Sequence, residues 1–275
     1  MKHSSRKAST DEPSEGARVR VKMLIAYDGT EYSGWQVQKI GRGVQEVIET
    51  SLQKIFGIFL RIHGSSRTDT GVHALGMVAH VDIPKGQLRM PIEKVALAIN
   101  ANLPEDVRIM EARIAAPDFH ARFDARGKQY RYYVWNHPAQ QPLLRRQAWH
   151  VPKPLDFASM KAAAKLFVGK HDFISFAGTR SYEMDSTVRT VSRCEIQKKG
   201  ALLTFFIEGD GFLYKMCRGI VGTLVQIGQG KFGSGAVSEM LAHQDRCAAG
   251  MTAPAHGLVL WKVYYKARGK ACTSS

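Results

Sequence analysis

The chain has 275 residues, enough to bury a full core, and length alone suggests one large domain or two of ordinary size. Its formal net charge of +15 exceeds what solubility asks and points to a polyanionic partner: nucleic acid rather than membrane, since no segment outside the apparent core helices pairs a basic face with an apolar one. Cys194, Cys217, Cys247 and Cys272 lie far apart with no Cys-x-x-Cys pair, which spells out neither a zinc knuckle nor a redox motif and reads as free thiols in a reducing cytoplasm.

Residues 1–17 are polar and mixed in charge, read as a disordered tail without a signal peptide or membrane span. Arg18 to Tyr27 alternates Val19, Val21, Met23 and Ile25 with basic or polar residues and closes at Asp28-Gly29-Thr30, a strand ending in a turn. Val44, Val47, Ile48, Leu52, Ile55 and Phe56 recur at three- and four-residue steps and predict a helix from Val44 to Phe56. Short strands are predicted at Leu60 to His63 and Met77 to Ile83. A helix from Pro91 to Ile99 and a strand from Val107 to Ile114 follow. A similar order returns after Phe119: strand 128–136, helix 156–168, strands 189–197 and 202–207, helices 214–229 and 237–243, and a last strand 258–265. This organisation is an N-terminal α+β domain over 18–115 carrying a chemically suggestive loop, a C-terminal α+β domain over 116–267, and a tail over 268–275.

That loop reads Ser65-Ser66-Arg67-Thr68-Asp69-Thr70-Gly71-Val72-His73-Ala74. Asp-Thr-Gly can house the aspartate of a protease dyad, but a dyad needs two copies and the chain has one. Arg67, on the same side of an extended segment, also favours the ionised form of Asp69 and opposes a shared proton. As plain turn material the run is ordinary, with Asp able to bond backbone amides and Gly able to take positive φ. Arg67, Asp69 and a flanking His73 in a basic chain together point to a carboxylate held ionised where an anion is received. Further along, Arg122, Arg126, Lys128, Arg131, Arg145 and Arg146 outnumber Asp118 and Asp124 and could track an RNA backbone through its phosphates. Strand alternation puts Tyr130 and Tyr132 on one face, Arg131 and Tyr133 on the other.

The run Arg67-Thr68-Asp69-Thr70-Gly71-Val72-His73-Ala74 resembles the signature of the tRNA pseudouridine synthase A family, Gly-Arg-Thr-Asp-Ala-Gly-Val-His-Ala. Other segments agree in order: Tyr27-Asp28-Gly29-Thr30 with Tyr32, Gly34, Trp35 and Gln36; Val44-Gln45-Glu46; 100–104; 119–123; Tyr130-Arg131-Tyr132; Met216-Cys217-Arg218-Gly219-Ile220-Val221-Gly222; and 252–258. Two departures flank the aspartate, Ser66 where the family usually has Gly and Thr70 where it usually has Ala; Ser66 adds a Cβ where a positive φ would be strained.

The resemblance implies an α+β fold of two ferredoxin-like halves joined into one central antiparallel sheet, with a catalytic cleft between them. It implies isomerisation of uridine to pseudouridine without a cofactor, on tRNA, by a cytoplasmic homodimer, roughly at positions 38 to 40 of the anticodon stem-loop. Asp69 would be the nucleophile or base, acting at C6, at C1′ or on a sugar proton. Arg218 would pair with it and keep it ionised and aimed. Arg67 would either depress the aspartate's pKa or fill the gap left by the departing uridine. Tyr130 would stack on the uracil, Leu258 would floor the site, and Arg122, Arg126 and Arg131 would bind the RNA backbone. The alternatives are the same reaction on another RNA, or a non-catalytic RNA-binding protein. The second has no need of a carboxylate aimed at a polyanion.

Overall fold

A computed structural model describes residues 17–38, 40–178, 186–243, 245 and 248–266; the tails predicted at 1–17 and 268–275 lie, but for residue 17, outside them. In the first half, β1 (Arg18–Tyr27), α1 (Val44–Phe56), β2 (His63–Gly64), β3 (His73–Pro84), α2 (Ile92–Asn100) and β4 (Val107–Ile114) follow one another. The second half has β5 (Ala125–Asn136), β6 (Trp149–Val151), α3 (Phe157–Lys165), β7 (Gly169–Asp172), β8 (Val188–Lys199), β9 (Leu202–Gly209), α4 (Met216–Gly228), α5 (Ala236–His243) and β10 (Leu258–Tyr265).

The alternation read in β1 has a physical outcome: Val21, Met23, Ile25 and Tyr27 are buried, while Lys22, Leu24 and Ala26 on the other face are only partly covered. The apolar stripe of α1 closes over the buried face, and its Val44, Ile48 and Leu52 join one continuous core with those strand residues. The helix stops where Gly57 takes a left-handed conformation and its N–H donates to Gln53 C=O.

All ten strands form one sheet in the order β4-β1-β3-β10-β5-β9-β8-β7, with β2 paired to β3 and β6 to β5. In the first half β1 lies between β4 and β3 with β2 beyond β3; in the second, setting the short β6 and β7 aside, β5 lies between β10 and β9 with β8 beyond β9, as two ferredoxin-like units joined edge to edge require. The expected antiparallel sheet is in fact mixed, because β3–β10 and β5–β6 are parallel. β2 has shrunk to two residues and pairs only with Ala79 and His80, leaving the start of β3 open; β10 fills that edge through His73–Val259 and Ala74–Leu260. No hairpin links β10 to β3, so no turn imposes an antiparallel approach. The loop between β2 and β3 consequently emerges at the seam of the two halves. β6 and β7, three and four residues long, escape a sequence reading because so short a run cannot establish a period.

Candidate active site

The loop from Ser65 to Val72 is tied down at many points. Ser65 N–H donates to Val78 C=O at 2.7 Å, Trp35 N–H to Thr68 C=O at 3.2 Å, and Gly71 N–H to Tyr32 C=O at 3.3 Å. Thr68 Oγ1 and the Tyr27 hydroxyl share a hydrogen bond of 2.8 Å. Val72 N–H closes a turn on Asp69 C=O at 3.1 Å, with Gly71 at φ +75° in its third position. The turn expected of Thr-Asp-Thr-Gly is real, and it presents Asp69. Gly34, at φ +97°, lies so close that a Cβ there would collide with the Thr68 carbonyl oxygen. The glycine of the Tyr-x-Gly-Trp stretch thus lets that segment seat the aspartate loop.

Arg218 comes from the first turn of α4, on the other half of the sheet. Its Nη1 donates to Asp69 Oδ2 at 3.0 Å and its Nε to Ala253 C=O at 2.8 Å, so the guanidinium is fixed at two points. Both side chains are mostly enclosed, 14% exposed for Arg218 and 19% for Asp69. Asp69 Oδ1 has no hydrogen-bond partner among the described residues. α4 packs tightly enough to deliver Arg218 because Gly222 has no side chain: a Cβ there would overlap Met251 C=O. Just before it, Lys215 is the one non-glycine residue with positive φ among those described, φ 59°.

These groups border an open cleft of about 600 Å³, lined by Asp69, Arg67, Arg122, Tyr130 and Leu258 among others. Arg218 supports Asp69 from beneath. Tyr130 is buried, its ring edge-on to Phe212 at 5.1 Å, and burial pushes its hydroxyl pKa up. Arg67 is exposed and makes no ion pair among the described residues; the cation that meets Asp69 is Arg218, not Arg67 as the spacing suggested. Arg131 is not brought to the cleft: its guanidinium lies 3.5 Å from the Trp261 ring centre and 4.9 Å from that of Phe206, as the alternation of β5 dictates for a neighbour of Tyr130. Arg126 is exposed and does not line the cleft.

His73 is also structural. Its ring is buried, Nε2 donates to the carbonyls of Arg146 and His256 at 2.9 and 3.0 Å, and Nδ1 accepts from Gly29 N–H at 3.0 Å. Nδ1 also lies 3.0 Å from Asp28 Oδ1. Ser66 does not take the positive φ expected of it; it is buried, with a hydroxyl near that of Tyr130 that completes no well-formed hydrogen bond among the described residues.

Other residues line the cleft besides those to which the resemblance gives a role. Lys128 lines it, with Nζ donating to Ser65 C=O at 2.9 Å and its pKa pulled down to about 8 by burial and then by Arg122. Lys215, Cys217 and Phe212 line it from the start of α4, and His63, His120 and Phe123 from its mouth. Lys128, read in the sequence only as one of the cations for an RNA backbone, lies two residues from Tyr130 on the same face of β5, and alternation would have placed it in the cleft. Nothing local could have joined His63 to His120.

The geometry defines a class: an α+β protein whose two half-sheets meet at a basic cleft holding one arginine-paired carboxylate. A family model described as tRNA pseudouridine synthase matches residues 23–124 and 163–266. The chain is 43% identical over 245 residues to a tRNA pseudouridine synthase A of Acetivibrio thermocellus, covering 89% of this chain and 99% of that protein. It is 45% identical over 250 residues to that of Geobacillus kaustophilus, covering 90% and 95%, and 45% over 260 residues to that of Solidesulfovibrio magneticus, covering 92% and 93%. Among solved structures, a Cbf5-Nop10-Gar1 complex matches 74% of this chain and 44% of that one at 12% identity and TM-score 0.35, too distant to carry an argument. The chain belongs to the tRNA pseudouridine synthase family.

Proposed function

We propose that this protein isomerises uridine to pseudouridine in tRNA, with Asp69 as the working carboxylate. The observation that carries the reading is the Asp69–Arg218 pair of 3.0 Å in a cleft bordered by Tyr130 and Leu258, in a chain of this family. In the reaction the C1′–N1 bond breaks, a C1′–C5 bond forms, C5 loses its proton and N1 gains one, so nothing is oxidised and no atom is lost. The residues supply a carboxylate oxygen, Oδ1, without a hydrogen-bond partner among the described residues; an aromatic wall in Tyr130; and an apolar floor in Leu258. Stacking worth about 1–3 kcal/mol per base would offset part of the cost of unstacking the target. Attack at C6, attack at C1′ and removal of a sugar proton all call on that same oxygen.

The target uridines are those of the anticodon stem-loop around positions 38 to 40, and the enzyme acts in the cytoplasm. No helix among the described residues is long and apolar enough to cross a membrane. The working unit is a homodimer. Its support is a hollow of about 560 Å³ on the poorly covered sheet face, lined by Ala26, Leu75, Met110, Tyr133, Leu202 and Val259, where Leu75 and Met110 are exposed.

Release of tritium from tRNA carrying 5-tritiated uridine tests the reading, because the C5 bond cannot form without expelling that hydrogen. Wild-type protein should release it, and Asp69→Ala should bind tRNA and release none. Tight binding with no release by the wild type would leave a binding protein instead.

A further inference from the structure

Lys128 occupies a position that the fold does not explain. It projects from β5 on the face that carries Tyr130, one residue removed, and so about 7 Å along the strand. Its ammonium group has three donors and spends one, on Ser65 C=O. Among the described residues no carboxylate lies within ion-pair distance of it, although other partly enclosed cations, Arg20 and Arg218, each have one. Ser66, the next residue after the carbonyl that Lys128 holds, is only 7% exposed and lines the same cleft; its hydroxyl stands near that of Tyr130 but completes no well-formed hydrogen bond among the described residues. Arg122 stands on the same cleft, also without a carboxylate. A partly enclosed cation without a counter-charge and a buried hydroxyl without a well-formed bond, on one cleft and joined through Ser65–Ser66, both cost free energy, and an anionic oxygen would satisfy both.

We infer that Lys128 and the Ser66 hydroxyl form a phosphate subsite that takes one of the two backbone phosphates flanking the target uridine, with Arg122 adding charge at its outer side. The inference rests on the reading of Asp69 and Tyr130 as the place where the uracil is held. With the base against Tyr130, the strand spacing puts Lys128 at the reach of one nucleotide from base to sugar phosphate. A lysine suits the task as a point charge that needs no planar geometry. The subsite grips backbone and reads no sequence, so it would fix how deeply the extruded nucleotide enters and leave the choice of tRNA to contacts elsewhere.

The test is a cycle between a side chain and a phosphate. Stem-loop RNAs with the 5-tritiated target uridine carry a neutral methylphosphonate at its 5′ or its 3′ phosphate, and kcat/KM for tritium release is measured with wild type, Lys128→Met, Lys128→Arg and Ser66→Ala. On native RNA, Lys128→Met should lose about tenfold and Lys128→Arg much less. One neutral linkage should cost the wild type a similar factor yet cost Lys128→Met almost nothing further, and Ser66→Ala should show a smaller coupling to that same linkage. Losses that simply multiply for both linkages, in Lys128→Met and in Ser66→Ala, would overturn the subsite. Native RNA turned over normally by wild type in that case would leave the Asp69 reading intact, whereas no turnover by wild type would sink the reading first. Should Lys128→Met fail to fold, Ser66→Ala and Lys128→Arg decide by the same criterion.

Discussion

Lys128 bears on stability as well as on substrate. Its pKa falls from 10.5 to about 8, chiefly by burial, so the folded state binds fewer protons than the unfolded chain between those values. The burial penalty is therefore full below pH 8, fades as pH rises through that window, and is gone above 10.5. Its upper limit is about 3 kcal/mol, reduced by the water that reaches this partly covered side chain. Lys128→Met, after losing the bond to Ser65 C=O, should gain roughly 1–2 kcal/mol at pH 7, and thermal melts should show the gain vanishing by pH 10.5. A residue kept at a cost to stability is one retained for function. Arg218 makes the opposite trade. Arg218→Ala leaves the mostly enclosed Asp69 charge unanswered and should cost roughly 1–3 kcal/mol together with at least a hundredfold in kcat/KM. Arg218→Lys keeps the charge but cannot hold Ala253 C=O and Asp69 in one planar grip, so tritium release should fall between wild type and Arg218→Ala.

At the scale of elements, the site depends on how closely α4 approaches the segment before β10. Gly222 sits one helical turn beyond Arg218, and Gly222→Ala would force the helix off Met251 C=O. Denaturant unfolding should show a loss of roughly 1–3 kcal/mol, and tritium release under conditions where the variant stays folded should drop as well, because Arg218 moves with the helix. The cleft also borders a histidine cluster. His80 of β3 stacks on His63 at 5.0 Å and meets His120 edge-on at 4.7 Å, while its Nδ1 accepts from Ala121 N–H at 3.2 Å. Burial and neighbouring cations lower its pKa from 6.5 to about 4, so the unfolded chain takes up a proton that the folded one refuses as pH falls through that interval. Stability should decline from pH 6.5 to pH 4, and His80→Asn, which keeps an acceptor and cannot titrate, should flatten that decline in a pH series of thermal melts.

Much of this architecture is legible in the sequence, for identifiable reasons. β1, α1, β4 and β10 have the bounds that periodicity gives, because each carries a full repeat of apolar positions on one face. β3 starts at His73 rather than Met77, since its first residues are held by β10, a partner that no local pattern announces. Asp69 and Arg218 are 149 residues apart, and only the family resemblance, not spacing, brings them together. The His63, His80 and His120 cluster has no sequence signal at all. The turn at Asp69 reads correctly from composition because turn chemistry is local. Arg67 misleads for the same reason: nearness in the chain suggests a pair that the fold gives to a residue of α4.

Across the whole molecule the question is how much RNA one chain can hold. The charge of +15 is spread, and within the cleft the cations without a carboxylate partner among the described residues are Arg67, Arg122, Lys128 and Lys215, since Arg61 is engaged by Glu49. If each meets one phosphate, the logarithm of the binding constant for an isolated stem-loop should fall with the logarithm of salt at a slope of about −3 to −4. A full tRNA that also reaches a second subunit, contacting about 6–10 phosphates, should lose roughly 10³–10⁵ in affinity between 50 and 200 mM salt. The apolar hollow around Leu75 offers the means to separate the two contributions. Leu75→Arg places a charge where a partner's apolar surface would sit and lies outside the cleft, so sedimentation should show a dimer for wild type and a monomer for the variant. The monomer should keep the stem-loop slope and lose the excess slope of full tRNA. A wild-type protein that sediments as a monomer, or a tRNA slope no steeper than that of the stem-loop, would mean that one cleft does all the binding and that the exposed sheet face serves something other than a second copy of the chain.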